Sequence, residues 1–573
     1  MAAGPGPAEI VGAAFAFDSS EHDFCVPSVT VRTPAASATP APRGGGHWAL
    51  VTLCTILFLT FLDNTVVSVA LADIQSSLHA GVTSLQWVVN GYALTFASLM
   101  LAGGRLGDQY GRKRVMLGGV LVFCAGSVVC ALATSSTMLI AGRVVMGVGA
   151  AASEPGTLSV IRHVYPERRA RARALGAWAA VAALALALGP VVGGALVGLA
   201  GWREIFWFNL AFGALAVVAA VVTLPEHADP RPGRLDLRGF LLGAVALAAA
   251  IFAVIDGEQR GYTTWWILAL FAFAVLAGAL FVRTERRSES PVLDLRFFRN
   301  PTFSGANTVA FATYFGVFAI FFFVALYLQV IAGFGGYRTA EQFLPMTAVM
   351  ILASAGAGPW VARIGPRLPM TLGCLCAGAG ILLTGAVLGP HVGYLPLAGS
   401  LVLVGLGFGL AVVPVTSSVL TVVPARRSGM AASATNTSRE LGAVFGVAVL
   451  GAVVNSQLTA DLTHRLQVLG IPASFQAIVI DAVEHGGLPS GGSGGAAAAS
   501  ANPAAAGHAG LVQQVIDAAY SAFYSGLDIA LLLSGALVLA AAVIAWFCVG
   551  REPADLEELP DDVDEADGYA PTG

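Results

Sequence analysis

Four charged side chains in this sequence lie inside apolar segments, where they could take part in proton or ion chemistry. Asp63 follows an almost purely apolar run, and Arg143 and Glu154 lie eleven positions apart in another apolar segment. Glu440 follows Arg439 in a third segment. A charge at the centre of a bilayer costs about 2.5–3.5 kcal/mol on insertion scales, so such residues are functional candidates. Because burial disfavours the ionised form of a carboxyl, an acid in this setting can exchange a proton near neutral pH.

The spacing of Arg143 and Glu154 limits what they can do together. Eleven residues are close to three helical turns, which places both on one helix face about 16 Å apart. They could line one cavity but could not pair directly. Structural roles stay open as well: Asp63 as a hydrogen-bonding acid between helices, Glu154 as a residue beside the Pro155 kink, and Glu440 as half of a structural ion pair.

The composition indicates that membrane helices hold these charges. The 573-residue chain is 56% hydrophobic and 11% charged, with a mean hydropathy of +0.77. Soluble globular proteins average about 25% charged residues, so this chain cannot cover a water-facing surface. We expect an all-α polytopic membrane protein with about fourteen spans. The expected spans are 48–70, 86–104, 115–133, 139–160, 174–199, 205–223, 238–255, 264–282, 303–330, 341–361, 369–389, 394–420, 429–454 and 527–549.

The distribution of basic residues predicts the orientation. If residue 48 starts inside, 22 of the 30 Lys and Arg residues fall in inner loops and 4 in outer loops. Cytoplasmic loops of membrane proteins are enriched in Lys and Arg. Both termini are therefore predicted to be cytoplasmic, in a multi-pass protein of the cell membrane.

A glycine-rich basic segment, GRLGDQYGRKRVML, follows the second span. Gly104, Gly107 and Gly111 would allow a tight turn between two helices. Asp108 and Arg112 are four residues apart and could pair if the stretch is helical. The simpler interpretation is a basic loop that only sets the topology.

This segment resembles the signature loop of the major facilitator superfamily, and other stretches resemble further motifs of that family in the same order. LIAGRVVMGVGAA is similar to the fourth-helix motif with its buried arginine, and LGPVVGG to the fifth-helix antiporter motif. FLDNTVVSVALADI is similar to the first-helix motif of the fourteen-helix drug:proton antiporter branch. The resemblance covers about residues 48–455 and the last span. Ala185 and Ala72 depart from these motifs, which usually have glycine and proline there.

The resemblance implies the major facilitator fold: two six-helix bundles plus two inserted central helices, with substrate bound between the bundles and access alternating by rocking. The expected parts are a disordered cytoplasmic tail (1–46), an N-terminal six-helix bundle (47–225), two inserted linker helices (226–300), a C-terminal six-helix bundle (301–550) with a flexible outer loop (456–525), and an acidic cytoplasmic tail (551–573).

Small residues and the signature loop predict the gating elements. In the fifth span, Gly189, Gly193 and Gly194 would let a neighbouring backbone approach, and Pro190 would bend the helix. Generic small-residue packing is the alternative for this motif. The complete predicted gating set is Gly104, Asp108, Gly111, Arg112, Gly189, Pro190, Gly193 and Gly194.

Polar and aromatic residues of the second and ninth spans are the candidates for substrate contacts. A broad apolar cavity with a few polar groups would suit amphipathic small molecules. Packing, or a position at the membrane interface, is the other interpretation of these side chains. The candidates are Gln86, Trp87, Asn90, Asn307, Tyr314, Tyr327 and Gln329.

These features predict proton-coupled efflux of small amphipathic compounds, such as drugs or antibiotics, by a monomer. The predicted proton-coupling residues are Asp63, Glu154, Arg143 and Glu440. The sequence contains no Walker motif, and no Ser/His/Asp or metal-ligand arrangement stands out, so we expect no enzyme activity, cofactor or nucleic-acid partner. Two alternatives stay open: a proton-coupled transporter of one endogenous metabolite, natural product or siderophore, and a non-transporting receptor or scaffold that uses the acidic tail.

Overall fold

The computed structural model describes residues 45–80, 82–226, 237–288, 291–332, 334, 336–389, 393–424, 427–469, 471, 476 and 509–550. Within these residues it contains fourteen α-helices and no β-strand. The helices are α1 (Gly45–Leu78), α2 (Val82–Tyr110), α3 (Arg112–Ala131), α4 (Ser136–Val164), α5 (Arg168–Ala200), α6 (Arg203–Thr223), α7 (Leu237–Arg260), α8 (Trp265–Glu285), α9 (Pro301–Leu326), α10 (Gly336–Ile364), α11 (Arg367–Val387), α12 (Tyr394–Val422), α13 (Ser428–Val468) and α14 (Ala509–Cys548). A short 3-10 helix, Leu295–Arg299, precedes α9, and a π-helical turn, Tyr327–Ile331, follows it.

Twelve helices in the described part of the chain are long and apolar enough to cross a membrane. The other two, α2 and α5, have 29 and 33 residues. Lipid offers no hydrogen-bond partner to a peptide group. These apolar segments therefore favour the helix, in which the backbone N–H and C=O groups bond to one another. Each of the fourteen expected spans coincides with one of the helices, and the all-α prediction is confirmed.

The helices form two bundles that meet along four helix pairs. Helices α1–α6 pack on one another, and so do α9–α14. The bundles meet where α5 packs on α10 and α12, and where α13 packs on α2 and α4. The inserted helix α7 packs on α8 and also contacts both α2 and α13, so it lies over one side of the junction between the bundles.

Local sequence signals set the starts of several helices that matter for the site. The Ser135 side chain accepts a hydrogen bond of 3.2 Å from the Met138 backbone N–H and caps α4. Asn300 caps α9 in the same way, and Pro301 occupies the first turn, where its missing N–H costs nothing. Gly111 separates α2 from α3 with φ of 105°, a backbone conformation that favours glycine.

The structure differs from the expected domain boundaries at the outer loop. Helix α13 continues to Val468, and α14 already begins at Ala509, so both ends of the expected loop 456–525 are helical. The apolar positions Leu458, Leu462 and Leu466 are buried, which explains why the helix continues beyond the expected span. Residues 1–44, 477–508 and 551–573, which hold most of the expected tails and loop, lie outside the described residues.

Candidate functional site

A buried ion pair lies inside the N-terminal bundle. Asp63 and Arg143 are both 0% exposed. Arg143 Nη1 donates to Asp63 Oδ2 at 2.5 Å, and Asn209 Nδ2 donates to Asp63 Oδ1 at 2.7 Å. Arg143 Nε donates to the Val88 carbonyl at 3.0 Å, and the guanidinium lies 4.5 Å from the Tyr92 ring centroid. We call Asp63, Arg143 and Asn209 the intrabundle cluster; both oxygens of its acid have a donor.

This pairing differs from the arrangement expected along α4. The sequence predicted that Arg143 and Glu154 would line one cavity, but the structure joins Arg143 to Asp63 of α1 and turns Glu154 toward α13. Asn209 was not predicted. The available signal was an amide within the otherwise apolar run IFWFNLAF of α6.

A second cluster joins the two bundles. Glu154, 2% exposed, accepts a hydrogen bond of 3.2 Å at Oε1 from Asn436 Nδ2 of α13. Arg439 Nη1 in turn donates to Asn436 Oδ1 at 3.0 Å. Among the described residues, none donates a hydrogen bond to Glu154 Oε2. We call Glu154, Asn436, Arg439 and Glu440 the interface cluster.

Side chains from both bundles hold Arg439 in place. Its Nη2 donates to Thr416 Oγ1 at 2.5 Å. Its guanidinium lies 5.6 Å from the ring centroids of Trp178 on α5 and Tyr314 on α9, within the range of a cation–π interaction. Trp178 Nε1 donates to Thr157 Oγ1 at 3.1 Å. The cation is therefore enclosed by one aromatic ring from each bundle.

Glu440 brings a second acid to the interface cluster. It is buried on α13 beside Arg439, and it interacts electrostatically with Glu154 of the opposite bundle. Two carboxyl groups and one guanidinium therefore share this site. When both acids are ionised the cluster has a net negative charge, and it can accept one proton or one cationic group.

The signature loop joins the bundles at one end. Asp108 is fully buried, and its oxygens accept from Arg112 Nη2 at 2.8 Å and Nε at 3.0 Å. They also accept from the backbone N–H groups of Gly429 at 3.1 Å and Met430 at 2.8 Å. These are the first N–H groups of α13, where a carboxylate is favourable because the helix leaves them unpaired. The Asp108–Arg112 pair forms across the Gly111 turn, not along one helix.

Further contacts reinforce this junction, which we call the turn end. Ser159 Oγ and Ser428 Oγ are 2.8 Å apart, and Arg162 donates to the Val423 carbonyl. A Cβ atom added at Gly104 would lie 2.5 Å from the Gly429 carbonyl oxygen, so a glycine is required where α2 crosses α13. These contacts tie α2 and α4 to α12 and α13.

The fifth-helix motif brings α5 close to α1 at two of its three glycines. A Cβ added at Gly193 would lie 2.8 Å from the Val66 carbonyl oxygen, and one at Gly189 would overlap Thr65. A Cβ at Gly194 would meet no described atom within 4 Å. Helix α5 continues unbroken from Arg168 to Ala200 through position 190; the side chain of Pro190 is not described.

The candidate substrate residues of α9 have separate surroundings. Tyr314 borders the interface cluster through Arg439. Asn307 Nδ2 donates to the Phe303 carbonyl of its own helix at 2.8 Å, and Asn307 Oδ1 accepts from Ser438 at 3.4 Å. Of these two, Tyr314 is the residue that borders Arg439.

The remaining substrate candidates are spread over the protein. Tyr327 donates its hydroxyl to the Gly389 carbonyl at 2.9 Å, within the C-terminal bundle. The Trp87 ring lies 5.1 Å from Phe252 on the inserted helix α7, and Asn90 is half-buried on α2. The side chains of Gln86 and Gln329 lie outside the described residues.

Three buried acids, Asp256, Glu285 and Asp294, were not singled out by the sequence analysis. Asp256 of α7 is 1% exposed, and its Oδ2 lies 3.0 Å from Arg260 Nε. It stands one residue beyond the expected span 238–255. Helix α7 extends to Arg260 and holds this pair at its end.

Comparison with known proteins matches residues 53–447 to the Major Facilitator Superfamily. The Multidrug resistance protein Stp of Mycobacterium tuberculosis (strain CDC 1551 / Oshkosh) is 37% identical over 416 residues, covering 72% of this chain and 76% of Stp. The Methylenomycin A resistance protein of Streptomyces coelicolor is 37% identical over 454 residues, covering 78% and 94% of the two chains. The solved structure of the proton:xylose symporter XylE shares the fold with a TM-score of 0.58 at 12% identity, over 90% of this chain and 97% of XylE.

Proposed function

Because the chain belongs to the Major Facilitator Superfamily and is a transporter rather than an enzyme, we propose that it exports small amphipathic compounds, such as drugs or antibiotics, in exchange for protons. Relatives that cover most of the chain are named for resistance to multiple drugs or to methylenomycin A. Export of the toxic compound is the form of resistance that a transporter can provide.

The interface cluster is the observation that supports exchange most directly. Glu154 belongs to one bundle and Asn436 to the other, so rocking of the bundles must break their hydrogen bond. The interface cluster can accept either a proton or a cationic group. The group that is bound there therefore affects whether the two bundles stay in contact. Proton entry and substrate exit can then alternate at one place, with the intrabundle cluster of Asp63 and Arg143 beside it.

The turn end is proposed as the gate on one side of the membrane. Asp108 holds the first turn of α13 in this conformation, which keeps that end closed. Substrate entry from that side requires the Asp108 contacts to separate. Gly104, Gly111 and Arg112 support these contacts, while Gly189 and Gly193 set the packing of α5 on α1.

The basic residues support a cytoplasmic turn end and cytoplasmic termini. We further propose that the protein acts as a monomer in the cell membrane. An epitope tag within residues 477–508 should be reached by a membrane-impermeant antibody on intact cells, and a C-terminal tag should not. Labelling of the C-terminal tag alone would contradict this orientation.

The central experiment is a substrate panel in everted membrane vesicles, read with a pH-sensitive dye. Addition of a transported compound should release protons from energised vesicles that contain the protein and not from vesicles that lack it. If compounds accumulate with no proton movement, the coupling ion is not a proton. If none of a chemically broad panel moves, drug export is refuted.

A narrower substrate range is the second candidate. It is favoured by the relatives named for a single antibiotic, methylenomycin A. The same panel separates the two, because a broad exporter should respond to several unrelated amphipathic compounds and a narrow one to a single chemical class.

A further inference from the structure

Resting on the proposed proton exchange, we infer that an exchanged proton is bound by Glu154 and that Asn436 is the positioning residue for this acid. Four buried residues were candidates for proton coupling. Their hydrogen bonds assign them different roles.

Asp63 is bound from two sides within its own bundle. Arg143 donates to one oxygen and Asn209 to the other, so no oxygen of Asp63 lacks a donor. Asp63 is the counter-charge of the Arg143 guanidinium, and both residues are buried. Removing one partner of a buried ion pair is strongly unfavourable.

Glu154 has the hydrogen bonds of a neutral carboxylic acid. It receives one hydrogen bond, from the uncharged amide of Asn436, and no described residue donates to its Oε2. A buried carboxylate with one oxygen unpaired is costly, and such a group tends to neutralise instead. The proton therefore belongs on Oε2, while the carbonyl oxygen Oε1 accepts from Asn436.

Arg439 determines which way the Asn436 amide points. A guanidinium can only donate, so the atom of Asn436 that faces Arg439 must be the oxygen Oδ1. The amide nitrogen is then directed at Glu154. Because Thr416 and two aromatic rings hold Arg439, this orientation is built into the interface.

The groups around Glu154 link its proton to the conformation. The titratable or charged groups in electrostatic reach are Glu440 and Arg439 on α13, Tyr92 on α2 and Tyr314 on α9. When the Oε2 proton passes to water entering between the bundles, a carboxylate remains on Glu154. Two like charges, one on each bundle, then share the single Arg439, and their repulsion favours separation of the bundles.

Infrared spectroscopy of the full-length protein in lipid tests the assignment without any substrate. At neutral pH the difference spectrum between the wild type and Glu154→Gln should contain the C=O band of a protonated buried carboxyl; the other buried acids, among them Glu440 and Asp256, are present in both proteins. The matched control Asp461→Asn, at a partly exposed acid on the same helix α13, should keep the band. A difference spectrum that lacks this band, from a folded Glu154→Gln protein, overturns the inference.

Asn436→Ala tests the positioning role by the position of the band. Loss of the donor should move the C=O band of Glu154 to higher wavenumber, and its disappearance with rising pH should shift to more alkaline pH, because a donor favours the ionised form. A merely structural Asn436 would leave both values unchanged. If the bands behave as expected but no compound moves protons in vesicles, the proposed function fails while the assignment of the proton to Glu154 stands.

Discussion

Asp63 and Glu154 are both acids at membrane depth on helices of the same bundle, yet their surroundings differ in kind. Asp63 is enclosed within the bundle and bound to a cation, whereas Glu154 faces the opposite bundle and is bound to a neutral amide. The first arrangement survives any rigid movement of the bundles, because all its members move together. The second arrangement is broken by such a movement, because Glu154 and Asn436 lie on different bundles. The location of the partner, more than the acid itself, decides whether a movement of the bundles disturbs the contact.

The largest expected effect comes from Arg143→Met, which leaves the Asp63 carboxylate buried without its cation. Breaking one side of a buried pair costs about 3–5 kcal/mol, so the thermal stability of the purified protein should fall sharply. The double variant Asp63→Asn/Arg143→Met removes both charges and should recover most of the loss. Equal instability of the single and double variants would show that the ion pair is not the cause.

A smaller effect is expected at the turn end from Asp108→Asn. Each hydrogen bond to a charged group is worth about 1.5–3 kcal/mol. The weaker contacts of the amide to Gly429 and Met430 should therefore raise the ratio of molecules with a separated turn end to molecules with a closed one by about tenfold or more. Spin labels at the exposed positions Arg114 and Arg363, in a cysteine-depleted background, should report longer distances. Transport should fall, while insertion into the membrane should be unchanged. If the distances between the spin labels do not change, the loop sets only the topology.

The packing of α5 on α1 offers a matched pair of glycines. Gly193→Ala would force a Cβ to 2.8 Å from the Val66 carbonyl oxygen, and overpacking of this kind costs about 1–3 kcal/mol. At Gly194 an added Cβ would meet no described atom within 4 Å. Gly194→Ala should therefore be neutral or stabilise the helix by about 0.5–1 kcal/mol. Thermal unfolding of both variants measures the difference, and equal effects would contradict the close approach at Gly193.

The smallest effect is expected at Asp461 and Arg465, an i,i+4 ion pair on α13 with 2.9 Å between Oδ2 and Nε. Their side chains are 26% and 41% exposed, so solvent already stabilises both charges. Asp461→Asn should change the stability by only about 0.3–0.5 kcal/mol. A loss comparable to that of Arg143→Met would mean that burial does not control the energy of these pairs.

Sequence reasoning located most of the residues in these clusters but few of their partners. Asp63, Arg143, Glu154 and Glu440 were found because a charge in an apolar run is conspicuous. Asn209 and Asn436, which complete the two clusters, were not singled out, since a single amide in a helix has many ordinary uses. Asp256 was missed because the end of its span was placed too early, at a boundary that hydropathy defines poorly.

The sequence by itself determined the helices, their number and the motifs of the family, because apolar length, glycine spacing and isolated charges are local properties of the chain. Only the tertiary structure decided that Arg143 pairs with Asp63, that Asn436 reaches Glu154, and that Asp108 binds the first turn of α13. These partners are separated by 80, 282 and more than 300 positions along the chain. A contact of that range depends on how helices are arranged and rotated against one another, and no periodicity within a single helix encodes it.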